Sequence, residues 1–244
     1  MILCSQMILI GNSHHDTDRY HICQDRMRLM VTMTSKRVTE KKRLPPRERI
    51  LLAATDLFYR QGIRGVGVEA IAQAADTNKM ALYRHFASKD ELVAEWLRRL
   101  AVQSDEHWSE IEEEHPSNAL GQLLAWLRVL AKEISVPDER GCPFTNSTAE
   151  ILDKNHPARR VIEDYKIKHR DRIMQLCKKS GLREPELVAD QLFFLMEGAR
   201  SSAQYIEPKG DSERLIQLAE ALIEAHREGS GGQKDVVRGD SHFR

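Results

Sequence analysis

The sequence predicts an all-α protein of nine helices, three short ones near the N-terminus and six after them. Two observations carry that expectation. Apolar residues recur at three-to-four spacing through almost all of residues 44–228, with Pro and Gly punctuating the starts and ends of the periodic stretches. No alternating apolar pattern of useful length occurs, so strands should be absent or trivial. At 244 residues, with 41% hydrophobic and 30% charged, the composition is that of an ordinary soluble globular protein. No run of eighteen apolar residues is present, which argues against a membrane span and for a cytoplasmic protein. The opening MILCSQMILIG lacks a charged n-region and makes a poor secretory signal.

The elements follow in order. Residues 47–61 place Ile50, Ala53, Ala54, Leu57 and Phe58 on one face; Pro45 and Pro46 precede them and Gly62 stops the helix. A short helix spans 68–75, with Val68, Ile71, Ala72 and Ala75 inward. After a break centred on Asp76 and Thr77, a third begins near Asn78 and carries KMALYRHF. The fourth runs from Lys89, capped by Ser88, to Glu114. The fifth covers 118–135, and a shorter sixth covers 142–152. Pro157 opens the seventh, which Gly181 closes, and Pro185 opens the eighth, which reaches Tyr205. Asp211 starts the last, which ends near Arg227.

The flanks read differently. Residues 1–43 show no sustained period and are expected to be disordered or an upstream extension, with Met27, Met30 and Met33 as alternative starts. The Gly-rich tail 229–244 should be disordered. Between them, 44–92 and 93–228 form the two expected domains.

Zero net charge hides an asymmetry. Residues 34–90 hold twelve Lys/Arg against six Asp/Glu, whereas 91–244 hold twenty-two against twenty-eight. A basic first part on an acidic remainder suggests that only the first part meets a polyanion. Cys4, Cys23, Cys142 and Cys177 lie far apart without metal-ligand spacing, so reduced thiols and no metal site are expected. No cofactor motif and no GxSxG, HExxH, phosphate loop or Cys/His dyad occurs, so an enzyme is disfavoured.

Residues 68–86 have the anatomy of a helix-turn-helix. Ala72 and Ala75 allow close helix approach, the connection is short, and Leu82 and Phe86 anchor the second helix. A recognition helix needs small or polar residues near its start to reach base edges, with basic and aromatic groups around it for phosphates. Asn78, Lys79, Met80, Ala81, Tyr83 and Arg84 meet that demand, and His85 and Lys89 follow.

The stretch RERILLAATDLFYRQGIRGVGVEAIAQAADTNKMALYRHFASKDEL resembles the DNA-binding domain of the tetracycline-repressor family from Arg47 to about Leu97. The resemblance implies a tetracycline-repressor-like fold and a DNA-binding transcriptional repressor. It further implies a homodimer on a palindromic operator in double-stranded DNA, released by a small-molecule effector yet to be identified. By the same resemblance Tyr83, His85 and Lys89 touch phosphates, while Lys79, Met80, Ala81 and Arg84 lie nearest the bases. Arg47, Asn78, Gly67 and Val68 complete the expected DNA-contacting set. Asp76 stands where the family usually has Gly, and Gly67 where it usually has a capping Ser or Thr. Those two departures leave a second reading open: a helical small-molecule-binding or interaction protein that has lost DNA binding.

Resemblance fades beyond that point, although Gly141-Cys142, Asn146 and Glu150 are similar to a pattern beside the effector cavity in some of these repressors. A ligand cavity needs apolar walls and a few polar anchors. Trp108, Leu127, Phe144, Met174 and Phe194 are candidate walls; Asn146, Glu150 and Tyr205 are candidate anchors. Small residues Gly198, Ser201 and Ser202, with Phe194 and the stripe Leu215, Leu218 and Leu222, mark the last two helices as the expected dimer interface.

Overall fold

The computed structural model describes residues 44–136, 140–205 and 211–227. The expectations for the N-terminal extension and the Gly-rich tail therefore lie outside the described residues. Among the described residues there are nine helices, named here α1 (Pro46–Gln61), α2 (Val68–Ala74), α3 (Lys79–His85), α4 (Lys89–Glu114), α5 (Ala119–Ile134), α6 (Pro143–Glu150), α7 (Pro157–Lys179), α8 (Pro185–Ser202) and α9 (Asp211–Ala225). The one extended pairing among them is an isolated antiparallel bridge between Leu182 and Arg227.

Local chemistry accounts for the boundaries. The side chains of Asn78, Ser88 and Asn118 each accept a hydrogen bond from the backbone N–H three residues on, capping α3, α4 and α5. Proline occupies the first turn of α6, α7 and α8, where its missing N–H costs nothing. His156 caps α7 through Nδ1, which accepts from the Ala158 N–H at 3.1 Å.

The chain divides into two compact units. One holds the described residues 44–61 and Gly65–Phe86; the other holds Gly62–Arg64 and the chain from Ala87 onward. The first unit therefore ends six residues before the expected 92. In it, Ile50, Leu51, Ala54 and Phe58 of α1 are buried along with Ile71 and Ala72 of α2 and Leu82 and Phe86 at the end of α3. Ala72 and Ala75 are almost fully buried, as close helix approach demands. In the second unit α7 packs on α4, α5 and α8, and α9 closes the bundle against α5 and α8. Its core joins Trp108, Leu123, Trp126, Leu127, Leu130, Ile173, Leu192 and Met196. Among the described residues no helix is long and apolar enough to cross a membrane.

Candidate functional site

The turn between α2 and α3 sets the first site. Asp76 sits at φ 52°, in the left-handed region where Asp is tolerated better than most residues. Its carbonyl accepts a hydrogen bond from Arg49 Nη1 at 3.2 Å. Asn78 then stops the extended segment, and its Oδ1 accepts from the Ala81 N–H at 2.9 Å. That cap starts α3 where the sequence places it.

Beyond the cap, Lys79, Met80, Tyr83, Arg84 and His85 are all exposed, with Met80 78% accessible. An apolar side chain that open gains nothing from the fold and is available to a partner. Lys79 Nζ donates to Glu69 Oε1 at 2.6 Å, and this contact raises the Lys79 pKa and lowers that of Glu69. Both groups are solvent-exposed, so a phosphate can displace the carboxylate cheaply. Gly67 caps α2 with extended backbone and no side-chain bond, and Val68 is half-buried. Arg47 lies with its guanidinium carbon 5.1 Å from the centre of the Phe86 ring, which steadies it at the surface.

Two residues of the expected set are placed differently from the rest. Ala81 is 94% buried under α3, so its methyl group belongs to the core of the first unit. Lys89 is half-buried; its Nζ donates to the Ile63 carbonyl at 2.6 Å, and burial pulls its pKa down. That bond ties the loop after α1 to the start of α4.

The second site lies inside the helical bundle. Trp108 of α4 stacks on Trp126 of α5, with ring centres 4.3 Å apart and planes at 16°. His169 of α7 is tilted against both indoles, at 5.9 and 5.1 Å, and lies nearly parallel to Tyr165 at 5.9 Å. Tyr165 in turn stacks on Phe144 of α6 at 3.7 Å. His169 is 96% buried, and neither of its ring nitrogens has a hydrogen-bond partner; the same holds for the indole Nε1 of Trp108 and Trp126. Buried polar groups of this kind ordinarily find partners, since each left unmade costs about 1–3 kcal/mol. Burial, then the positive charges of Arg200, Lys166 and Arg172, push the imidazole pKa down to about 3, so it is neutral.

Charge around the cluster is compensated within the unit. Arg200 donates to Glu133 at 2.8 Å, Lys166 to Glu197 at 2.6 Å, and Asp105 accepts from Lys168 at 2.7 Å and from Arg172 at 3.3 Å. Lys166 Nζ also lies 3.5 Å from the buried Cys142 thiol. Gly141, at φ 73°, precedes it where a Cβ would stand 2.8 Å from the Arg200 carbonyl, so that position requires glycine. Among the described residues no three metal-ligating side chains gather.

The structure sorts the sequence-derived pocket residues unevenly. It brings Trp108 and Phe144 to the His169 cluster. Leu127 is wholly buried core, and Met174 packs against that core. Phe194 and Tyr205 stand 69% and 76% exposed in the protomer, away from its buried core. Asn146 instead donates to the Arg140 carbonyl. Glu150 turns to the loop after α1, where its Oε2 accepts from the Arg64 N–H at 2.8 Å. Leu215, expected at the dimer face, is buried in the bundle. Sequence reasoning missed His169, although Ile162, Tyr165, His169, Ile173 and Leu176 recur at the helical period and mark one inward face of α7.

A helix-turn-helix with an exposed cationic second helix, followed by a six-helix bundle, defines a class of DNA-binding regulator. Residues 50–96 match the family model described as bacterial regulatory proteins, tetR family. The chain is 31% identical over 178 residues to the HTH-type transcriptional regulator AcrR of Shigella flexneri, covering 66% of this chain and 78% of that protein. It is 25% identical over 186 residues to the HTH-type transcriptional regulator YjdC of Escherichia coli, covering 76% and 97%. A solved TetR-family transcriptional regulator from Streptomyces coelicolor superposes with a TM-score of 0.70 at 29% identity, covering 74% of this chain and 95% of that one. The chain belongs to the TetR family of regulatory proteins.

Proposed function

We propose that this DNA-binding transcriptional regulator works as a homodimeric repressor, bound to a palindromic operator and released by a small molecule held in the α4–α9 bundle. The observation that carries the reading is the exposed segment Lys79, Met80, Tyr83, Arg84 and His85, launched from the Asn78 cap. Lys79, Tyr83, Arg84 and His85 supply phosphate and base-edge donors; Met80 supplies an apolar contact of the kind that reads a thymine methyl. Two such helices about one DNA turn apart, roughly 34 Å, fit a two-fold symmetric site.

Pairing falls to the outer faces of α8 and α9. Phe194 and Leu218 are exposed there, a Cβ on Gly198 would meet nothing within 4 Å, and Ser201 is exposed. Leu222 and Ser202 are half-buried and border that face. An isologous contact through these residues would bury apolar surface that the protomer leaves in water. The test is a gel shift with the DNA upstream of the gene itself. Wild-type protein should retard it with an affinity that falls steeply with salt, and Lys79→Ala with Arg84→Ala should abolish retention. Affinity indifferent to salt would reject the reading.

A further inference from the structure

We infer that the effector is a neutral, planar aromatic molecule rich in hydrogen-bond acceptors, taken up where His169, Trp108 and Trp126 leave four buried nitrogens without protein partners. This rests on the ligand-responsive reading above and adds the chemistry of the ligand to it.

The donor set fixes the polarity. Two indole N–H groups only donate, and a neutral imidazole offers one donor and one acceptor. The cluster thus presents three donors to one acceptor, which a carbonyl or phenolic edge complements. Shape follows from the surroundings: the ring centres of Trp108, Trp126, Tyr165 and Phe193 lie 5.1–6.4 Å from that of His169, Tyr165 nearly parallel to it and the other three tilted, an aromatic setting that favours a flat ring over a branched aliphatic.

Charge is decided by what the aromatic cluster lacks. A ring cage alone would suit a cation. Here, however, Glu133, Glu197 and Asp105 are each already paired with Arg or Lys, and Arg172 lies 5.1 Å over the Trp108 ring. A cationic ligand would meet the like charge of Arg200, Lys166 and Arg172, with these three carboxylates already engaged. Neutral molecules avoid that penalty.

Calorimetry on the full chain tests this with three neutral bicyclic aromatics (isoquinolin-1(2H)-one, coumarin and 2-naphthol) and the N-methylisoquinolinium cation. At least one neutral probe should bind once per protomer, and the cation should not. His169→Phe, which keeps a ring and deletes both nitrogens, should weaken binding at least tenfold, while His169→Gln, which keeps a donor and an acceptor, should retain most of it. Should His169→Phe fail to fold, Trp126→Phe takes its place with the same expectation. Tighter binding of the cation, no binding of any neutral probe, or undiminished binding by the ring variant overturns the assignment. Operator release is measured separately. A probe that binds at His169 without releasing DNA would reject the repressor-release reading and leave the site standing. DNA released by some other compound that ignores His169 would do the reverse.

Discussion

Arg49 of α1 holds Asp76 twice, with Nη1 donating to its carbonyl at 3.2 Å and lying 3.7 Å from its carboxylate. The turn that aims the recognition helix is thus tied to the first helix by a side chain 27 residues away. Asp76→Gly keeps the carbonyl bond and suits φ 52°, so it should leave stability within about 0.5 kcal/mol of wild type. Asp76→Ala loses the carboxylate and strains the left-handed backbone, and should cost about 1–2 kcal/mol. Urea unfolding of the two variants checks the order; an Ala variant as stable as the Gly one would remove the strain argument.

Glu69 pairs with the exposed Lys79 at 2.6 Å, so on the proposed reading it would compete with DNA for that cation. Glu69→Gln should tighten operator binding, and Lys79→Ala should weaken it across all sequences while lowering the salt slope by about 1. Fluorescence anisotropy across a salt series reads both effects.

Acid should destabilise the bundle through His169. Its folded pKa lies near 3, below the ordinary 6.5, so the unfolded chain takes up the proton first. The contribution is intact above about pH 6.5 and is lost progressively as pH falls toward 3. Between pH 7 and pH 5 the wild type should lose about 2 kcal/mol that His169→Gln does not lose. Denaturation midpoints at the two pH values make the comparison.

Gly62, at φ 81°, sits against Glu150, whose Oε1 would lie 2.9 Å from an added Cβ. Gly62→Ala should cost about 1–3 kcal/mol from backbone strain and crowding together. Adding Glu150→Ala should return only the crowding part, a partial rescue visible in thermal melts.

Leu218→Glu places a charge on the proposed pairing face, at a position 56% exposed in the protomer. Sedimentation should show the dimer lost, with the helical content kept. A variant that stays dimeric would move the interface elsewhere.

The helices were legible because their signals are local. Ser88 caps α4, Pro157 and Pro185 open α7 and α8, and the left-handed Asp76 falls in the turn where a Gly was expected. The exposed start of α3 was legible for the same reason. What the periodicity could not resolve was which apolar residues face inward when two faces qualify. Leu215 and Leu218 lie three apart on α9, yet one is buried and the other open, and only the partner helices decide between them. Phe194 looked like a cavity wall because aromatics usually are buried, but its place on α8 points it to solvent. Glu150 and Asn146 sit beside the expected pocket in sequence, and their hydrogen bonds take them to backbone groups that no local pattern reveals.

Indoles as close and nearly parallel as Trp108 and Trp126 share their electronic excitation. The coupling of their transitions depends steeply on the separation of the rings and on the angle between the transition moments. A molecule that parted or turned the pair would change that coupling and could be read optically, with no label and no DNA present.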